Sequence, residues 1–338
     1  MLAAVFETDG SFDVKEISLR PLFPNEALVR VDSAMICATD VHIIAGEQPS
    51  VPPVVLGHEF AGVVEETGNE VTNVTVGDHV SVEPHKAYCG KCKFCRVGKP
   101  HMCLEKQAYG VHLNGGFAQF AILPDYALYK VPKDMPMEHA ALAENIGCCL
   151  HGMDRIDMQF GDSVLILGGG FVGMVMAQLS RLRGCGALIV SEPKAERREM
   201  LLKNGADVVV DPLSEDLSAI VAAHTEGLGV DVVIEAAGLL ATARIAHTFA
   251  ARAGKIMYYG LVPPGNTIEL EPNEIFRKEL TLMGSAINPN SHHQTLEIIR
   301  SLRLDGCVTH QFPLRDIAKG IEIAKKGESI KVCIRPNL

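Results

Sequence analysis

From about residue 151 onward, short apolar runs alternate with helix-like segments, and this alternation limits the fold more than any other feature of the 338-residue chain. The runs are SVLIL, ALIVS, DVVV, DVVIEAAG, KIMYYG and LTLMG, and between them lie segments such as KAERREMLLKNG and SEDLSAIVAAHTE. A strand covered on both faces reads as a near-continuous apolar run, and two parallel strands need a long crossover, which a helix supplies. The region is therefore predicted to be α/β, a doubly wound parallel sheet of the Rossmann type. The chain before about residue 130 has a different texture. Its β-branched runs, ALVRVDSA, GVVEETG, VTVGDHVSVEP and FAQFAILP, are broken by turn residues such as Gly77-Asp78, while Pro52-Pro53 and Pro100 belong in loops. That half is predicted to be mainly β.

After Gly284 the alternation stops. The polar stretch SAINPNSHHQ leads into a predicted helix near residues 295–304, followed by a helix at about 315–326 and a strand at 330–335. These last elements are too short to fold alone and are expected to rejoin the first half. The domain organisation read from this is a mainly β domain over 1–150 and 286–338, with a Rossmann-type domain over 151–285 inserted in it. A net charge of −10 opposes a nucleic-acid partner, because phosphate binding needs a basic surface. Lys91, Lys93, Arg96, Lys99 and Lys106 then read as the solvated face of a lobe, and a small-molecule substrate is favoured. The first residues carry Glu7 and Asp9 and no base before the first apolar run, so a secretory signal is not expected and the cytoplasm is. The charge-free stretch 163–180 has the length of a membrane span, but its centre, GGGFVG, fits a strand, a glycine turn and a helix better, so no membrane partner is expected.

Gly168, Gly170 and Gly173 form G-x-G-x-x-G directly after the run SVLIL, with Phe171 and Val172 opening the next helix. The first glycine permits a tight turn, the second lets backbone approach a pyrophosphate, and the third lets helix and strand pack closely. The helix N-terminus then meets the phosphates. An acidic residue is expected at the end of the second strand, and Glu192 is there, in LIVSE. Its carboxylate can accept the ribose hydroxyls and repels a 2′-phosphate, which favours NAD over NADP. Arg197 is counted with the cofactor contacts; with Lys194 and Arg198 it reads alternatively as a solvated helix face.

Four cysteines, Cys89, Cys92, Cys95 and Cys103, fall in CGKCKFCRVGKPHMC. Two-residue spacers let a turn aim successive sulfurs at one point, and four thiolates close a structural zinc site. Paired disulfides would need an oxidising compartment, and the other six cysteines show no framework spacing. Because four thiolates fill every coordination position, chemistry belongs elsewhere. CATDVH at 37–42 and GHE at 57–59 together offer thiolate, imidazole and carboxylate, the ligand types of a zinc site with an open position. Glu144, in ALAENIGCCLHGM, is a further candidate. Cys37 or His58 in isolation reads as a core residue, and their co-occurrence with a nucleotide-binding pattern favours a metal.

These residues resemble the zinc-dependent medium-chain dehydrogenases of the alcohol, sorbitol and threonine dehydrogenase group over essentially the whole chain. GHEFAGVVEETGNEV matches the family's zinc signature through His58, Glu59, Gly62, Gly68 and Val71, and the order of motifs agrees. The resemblance implies a GroES-like catalytic domain and two zinc ions per chain. It implies Cys37 and His58 as catalytic zinc ligands, with Glu59 a direct or exchanging ligand. Glu144 stands where classical alcohol dehydrogenases place cysteine and the sorbitol and threonine branch places glutamate, which moves the resemblance toward polyols and other secondary alcohols. L-threonine, a sugar phosphate or a simple alcohol are the alternatives. Asp40 is implied to orient His58, and Lys331 to approach the cofactor pyrophosphate. Thr39 and His42 are implied as a proton relay completed by a ribose hydroxyl, Thr39 being otherwise an ordinary turn residue. Zinc lowers the pKa of an alcohol, so that hydride can leave to the nicotinamide. A homodimer or homotetramer is implied as well. A zinc-free reductase on the same fold would lack Cys37 and His58. The segment 285–293 is expected either to line the cleft for a polyhydroxylated substrate or to be a solvated loop, with His292 and His293 not ligands.

Overall fold

The computed structural model describes residues 1–85 and 88–338 and divides into two compact units, Met1–Gly147 with Asn288–Leu338, and Cys148–Ile287. The second unit is built on six parallel strands in the spatial order Val208–Val210, Leu188–Ser191, Val164–Leu167, Val230–Glu235, Ala250–Tyr258 and Thr281–Gly284. All five ladders are parallel, and the chain reverses its direction of travel across the sheet between the third and fourth strands of that order. Ligands bind at such a reversal, outside the carboxyl ends of the strands. Each of the six apolar runs supplies one strand. Val164, Leu165, Ile166, Ile189, Val190, Val232, Val233 and Ile234 are fully buried, and each contributes about 1.5–3 kcal/mol by leaving water. The apolar stretch 163–180 is the first strand, a turn and the helix Phe171–Leu182. Among the described residues no helix is long and apolar enough to cross a membrane.

The first unit is organised by the long strand Glu26–Ile36. It pairs antiparallel with Glu59–Thr67, with Phe120–Pro124 and with Lys331–Arg335 from the end of the chain. His79–Val82 and Leu128–Lys130 extend the sheet on one side and Val308–Pro313 on the other, and a small sheet of Leu2–Phe6, Phe12–Glu16 and Val54–Val55 packs with the same core. The C-terminal strand thus rejoins the β half. Its register sets Val332 opposite Ile36, while Met35 lies opposite Glu59. The end of one strand and the beginnings of two others therefore meet at one edge of the sheet, which carries Cys37, His58, Glu59 and Lys331.

Two local expectations need correction. The helix expected at 295–304 is His292–Ile298, followed by a 3-10 turn at Ile299–Ser301. It starts earlier because His292 is fully buried, its Nε2 2.8 Å from the Ser81 hydroxyl, a partner 211 residues away. The segment 285–293 is not a wholly solvated loop, since Asn288, Ser291 and His292 are buried. Asn288 Nδ2 donates to the Glu144 carbonyl (3.4 Å) and Ser291 Oγ to the Gly147 carbonyl (3.2 Å), so these polar residues brace the long helix Met137–Ile156.

Candidate functional site

Cys37 precedes the short helix Ala38–Ile44 as its N-cap. The third helical residue, Asp40, accepts the Cys37 backbone N–H on Oδ2 (2.8 Å), which satisfies a donor the helix start would leave unpaired. The other oxygen of the same fully buried carboxylate lies 3.4 Å from His58 Nδ1. Asp40 therefore serves the helix cap and the imidazole together, and it leaves His58 Nε2 as the nitrogen available to a metal. One donor atom each from Cys37, His58 and Glu59 lie within 4.8 Å of one another. Burial pushes the His58 pKa down, but the negative charges of Asp40 and Cys37 outweigh it and lift the group well above its ordinary value. The buried imidazole thus faces excess negative charge from Asp40 and Cys37, which is what a cation site needs, and thiolate, imidazole and carboxylate suit zinc.

Glu59 is held from two sides. Lys331 Nζ lies 2.7 Å from its Oε1 and 2.5 Å from its Oε2, and Asn145 Nδ2 donates to Oε1 at 2.9 Å. Lys331 is 5% exposed, and its ammonium stays charged because Glu59 and Cys37 outweigh the effect of burial. The resemblance implied this ammonium for a cofactor pyrophosphate, and here it also pairs with the Glu59 carboxylate. Glu144, the further candidate, has its Oε1 3.1 Å from Nε2 of the buried His85 and is not one of the three residues grouped above. Neither His85 nor Asn145 is signalled by any motif, because each acts through a partner 59 or 86 residues away. Thr39 Oγ1 is 3.7 Å from Cys37 Sγ, and His42, one turn along the helix, has Nδ1 2.5 Å from the Glu47 carboxylate.

The four lobe cysteines converge as well, their sulfurs all within 4.8 Å of one another. Sγ–Sγ separations of 3.5 Å (Cys92 to Cys95) and 4.0 Å (Cys89 to Cys95) are far beyond a disulfide bond. They bracket the roughly 3.8 Å edge of a tetrahedron with about 2.3 Å metal–sulfur bonds. The Cys92 N–H points at Cys89 Sγ (3.4 Å) and the Cys95 N–H at Cys92 Sγ (3.5 Å). Such donors favour thiolate, and backbone N–H groups of Lys91 and Cys92 draw the Cys89 thiol down to about 7.

In the second unit, the glycine turn has the shape that a dinucleotide requires. Gly168 has φ +105°, and a Cβ on Gly173 would lie 1.9 Å from the Gly168 carbonyl oxygen, so neither position accepts a side chain. A Cβ on Gly170 would meet only the Arg197 guanidinium, at 4.0 Å, which leaves backbone there open to a ligand. Gly170 caps the helix that begins with Phe171 and Val172, and the start of a helix attracts an anion. Glu192 is 3% exposed; its Oε2 accepts the Gly169 N–H (2.8 Å) and its Oε1 the Lys194 N–H (3.0 Å). The carboxylate is thus fixed against the turn, with lone pairs left for hydroxyl donors, and Arg197 Nη1 stands 3.8 Å away.

Comparison with known proteins bears on the family and the fold. Residues 23–133 match the alcohol dehydrogenase GroES-like domain and residues 172–301 the zinc-binding dehydrogenase domain. The chain is 34% identical over 336 residues to L-threonine 3-dehydrogenase of Caldanaerobacter subterraneus subsp. tengcongensis, covering 96% of this chain and 95% of that one. It is 30% identical over 342 residues to D-arabinitol dehydrogenase 1 of Uromyces fabae, covering 100% and 97%. A solved zinc-binding dehydrogenase from Sinorhizobium meliloti 1021, bound to NADP, superposes with a TM-score of 0.94 at 33% identity over 99% of each chain. With a matched domain in each half, a thiolate–imidazole–carboxylate cluster and a dinucleotide turn, the chain belongs to the zinc-dependent medium-chain dehydrogenase family.

Proposed function

We propose that the chain oxidises a small polar secondary alcohol, a polyol by preference, to a ketone with transfer of hydride to NAD. The observation that carries the reading is the convergence of Cys37, His58 and Glu59 within 4.8 Å in a chain that also has a dinucleotide turn. Zinc held there supplies Lewis acidity, which makes an alcohol proton easier to lose near neutral pH. The remaining work falls to the chain. Asp40 keeps the His58 ring in one orientation, as a carboxylate behind a ligand imidazole does. Lys331 and Asn145 hold Glu59. The Thr39 hydroxyl would accept the substrate proton while passing on its own, and His42, steadied by Glu47, would release a proton to solvent at the end of a relay that a cofactor ribose hydroxyl completes. The four-cysteine lobe takes a second, structural zinc.

The substrate class is supported by the relatives, since L-threonine and D-arabinitol both carry secondary hydroxyl groups. A hydroxy amino acid such as threonine is the second reading, favoured by the 34% identical relative. NAD is supported by the fixed Glu192 carboxylate; the NADP-bound neighbour and the adjacent Arg197 make the 2′-phosphate the decisive comparison. A homodimer or homotetramer in the cytoplasm completes the proposal. The test is a panel of polyols, simple secondary alcohols, sugar phosphates and L-threonine, assayed with NAD and NADP alongside zinc content. Turnover of polyols with NAD is expected, and Glu192→Ser should relax the preference for NAD. No turnover of any member would refute the secondary-alcohol reading, and turnover of threonine alone would select the second one.

A further inference from the structure

Glu235 ends the strand Val230–Glu235 fully buried, and neither metal cluster nor the glycine turn uses it. Its Oε1 accepts the N–H groups of Ala237 (3.0 Å) and Gly238 (3.0 Å) and the hydroxyl of Thr242 (2.7 Å). Thr242 belongs to the next helix, Leu240–Ile245, so one carboxylate oxygen gathers the whole connection between strand and helix. Oε2 is buried without a donor, and burial pushes the Glu235 pKa up. The preceding residues of this strand, Val232, Val233 and Ile234, are fully buried and apolar. An apolar side chain at 235 would avoid the cost of dehydrating an acid. The carboxylate is therefore best explained by the loop that it organises.

That loop backs directly onto the phosphate turn. A Cβ on Gly168 would lie 2.8 Å from Ala237 N and 2.9 Å from Ala237 Cα. On its other side, a Cβ on Gly260 would lie 2.2 Å from Gly238 N. Residues 236–239 are thus wedged between the glycine turn and the strand that follows. The sheet comprises two mononucleotide-binding halves, and the strand ending in Glu235 opens the second. The first half, with Glu192, takes the adenosine side, so the 236–239 loop borders the nicotinamide side.

We propose that Glu235 is a positioning residue for the nicotinamide half of the cofactor, holding the 236–239 loop as a rigid wall beside the Gly168 turn. The proposal rests on the dinucleotide named in the proposed function. It is tested by measuring binding of NADH, which spans both halves, and of AMP, which fills only the first, to wild type, Glu235→Ala and Glu235→Gln. Glu235→Ala should weaken NADH about tenfold and leave AMP within about twofold, because loss of three hydrogen bonds loosens one half only. Glu235→Gln, whose amide oxygen still accepts the three donors, should recover most of the NADH affinity. Equal weakening of both ligands, no change in either, or failure of glutamine to rescue would overturn the positioning role. If wild type bound neither ligand, the dinucleotide reading itself would fall instead. Should Glu235→Ala fail to fold, Thr242→Val removes a single donor and should weaken NADH about threefold with AMP unchanged; an unchanged NADH affinity there would also overturn the proposal.

Discussion

Replacing Lys331 with methionine preserves most of the side-chain stem and deletes the ammonium from a carboxylate that has no access to water. Glu59 is fully buried, and the two oxygens that Lys331 approaches at 2.7 and 2.5 Å would retain only the 2.9 Å hydrogen bond from Asn145 among those described. Deleting one partner of a buried pair costs about 3–5 kcal/mol, because the remaining charge keeps its dehydration penalty and loses its counter-ion. Glu59→Gln strands the ammonium and should cost a similar ~3–5 kcal/mol, whereas the double variant strands neither charge and should fall short of the sum by at least ~2 kcal/mol. The cycle is read from urea unfolding of metal-stripped protein, so that zinc binding does not enter through linkage. Costs that add to within ~0.5 kcal/mol would show that the two groups do not depend on each other. A Lys331→Met variant with unaltered stability would refute the reasoning, and weakened cofactor binding beside it would assign the ammonium to the pyrophosphate alone.

Cys37→Ser should abolish turnover and remove about one zinc per chain, while Cys95→Ser should mainly lower the melting temperature, since a closed four-thiolate site holds a loop together; equal effects of the two on activity would contradict separate catalytic and structural clusters. The Arg20 guanidinium grips Glu26 bidentately at 2.6 and 2.7 Å and, with the Phe23 N–H, holds its carboxyl below the ordinary value against the opposing effect of burial. A depressed pKa stabilises above the unfolded value and is lost as pH falls through the folded one, so Glu26→Gln should cost ~1 kcal/mol at pH 7, discounted for the half-exposed arginine, and less near pH 4. Urea midpoints at the two pH values check this, and a cost that grows on acidification would be inconsistent with it.

Much of the fold was legible because its determinants are local. A buried parallel strand is apolar on both faces, so six short runs announce six strands in order. The thiolate lobe and the glycine turn are equally local. Four sulfurs within fifteen residues of chain can reach one point, and the spacing of Gly168, Gly170 and Gly173 states which backbone must approach a phosphate. The polar segment 285–293 was not legible in the same way. Asn, Ser and His look alike in a solvated loop and in a braced interior, and only their distant partners on the Met137–Ile156 helix and at Ser81 distinguish the two.

The amino-acid sequence by itself determined the strand order along the chain, the phosphate turn, the thiolate cluster and the residue types of the reactive cluster, because each is written in contiguous spacing. The tertiary structure alone decided which groups meet. Glu59 pairs with Lys331, 272 residues away, because antiparallel register lays the C-terminal strand beside Glu26–Ile36 at the level of Cys37. Glu144 meets His85, 59 residues away, with Oε1 3.1 Å from Nε2. A motif records what a ligand type can do; which partner neutralises a buried charge depends on strand register and helix placement, and these are settled only when the whole sheet closes.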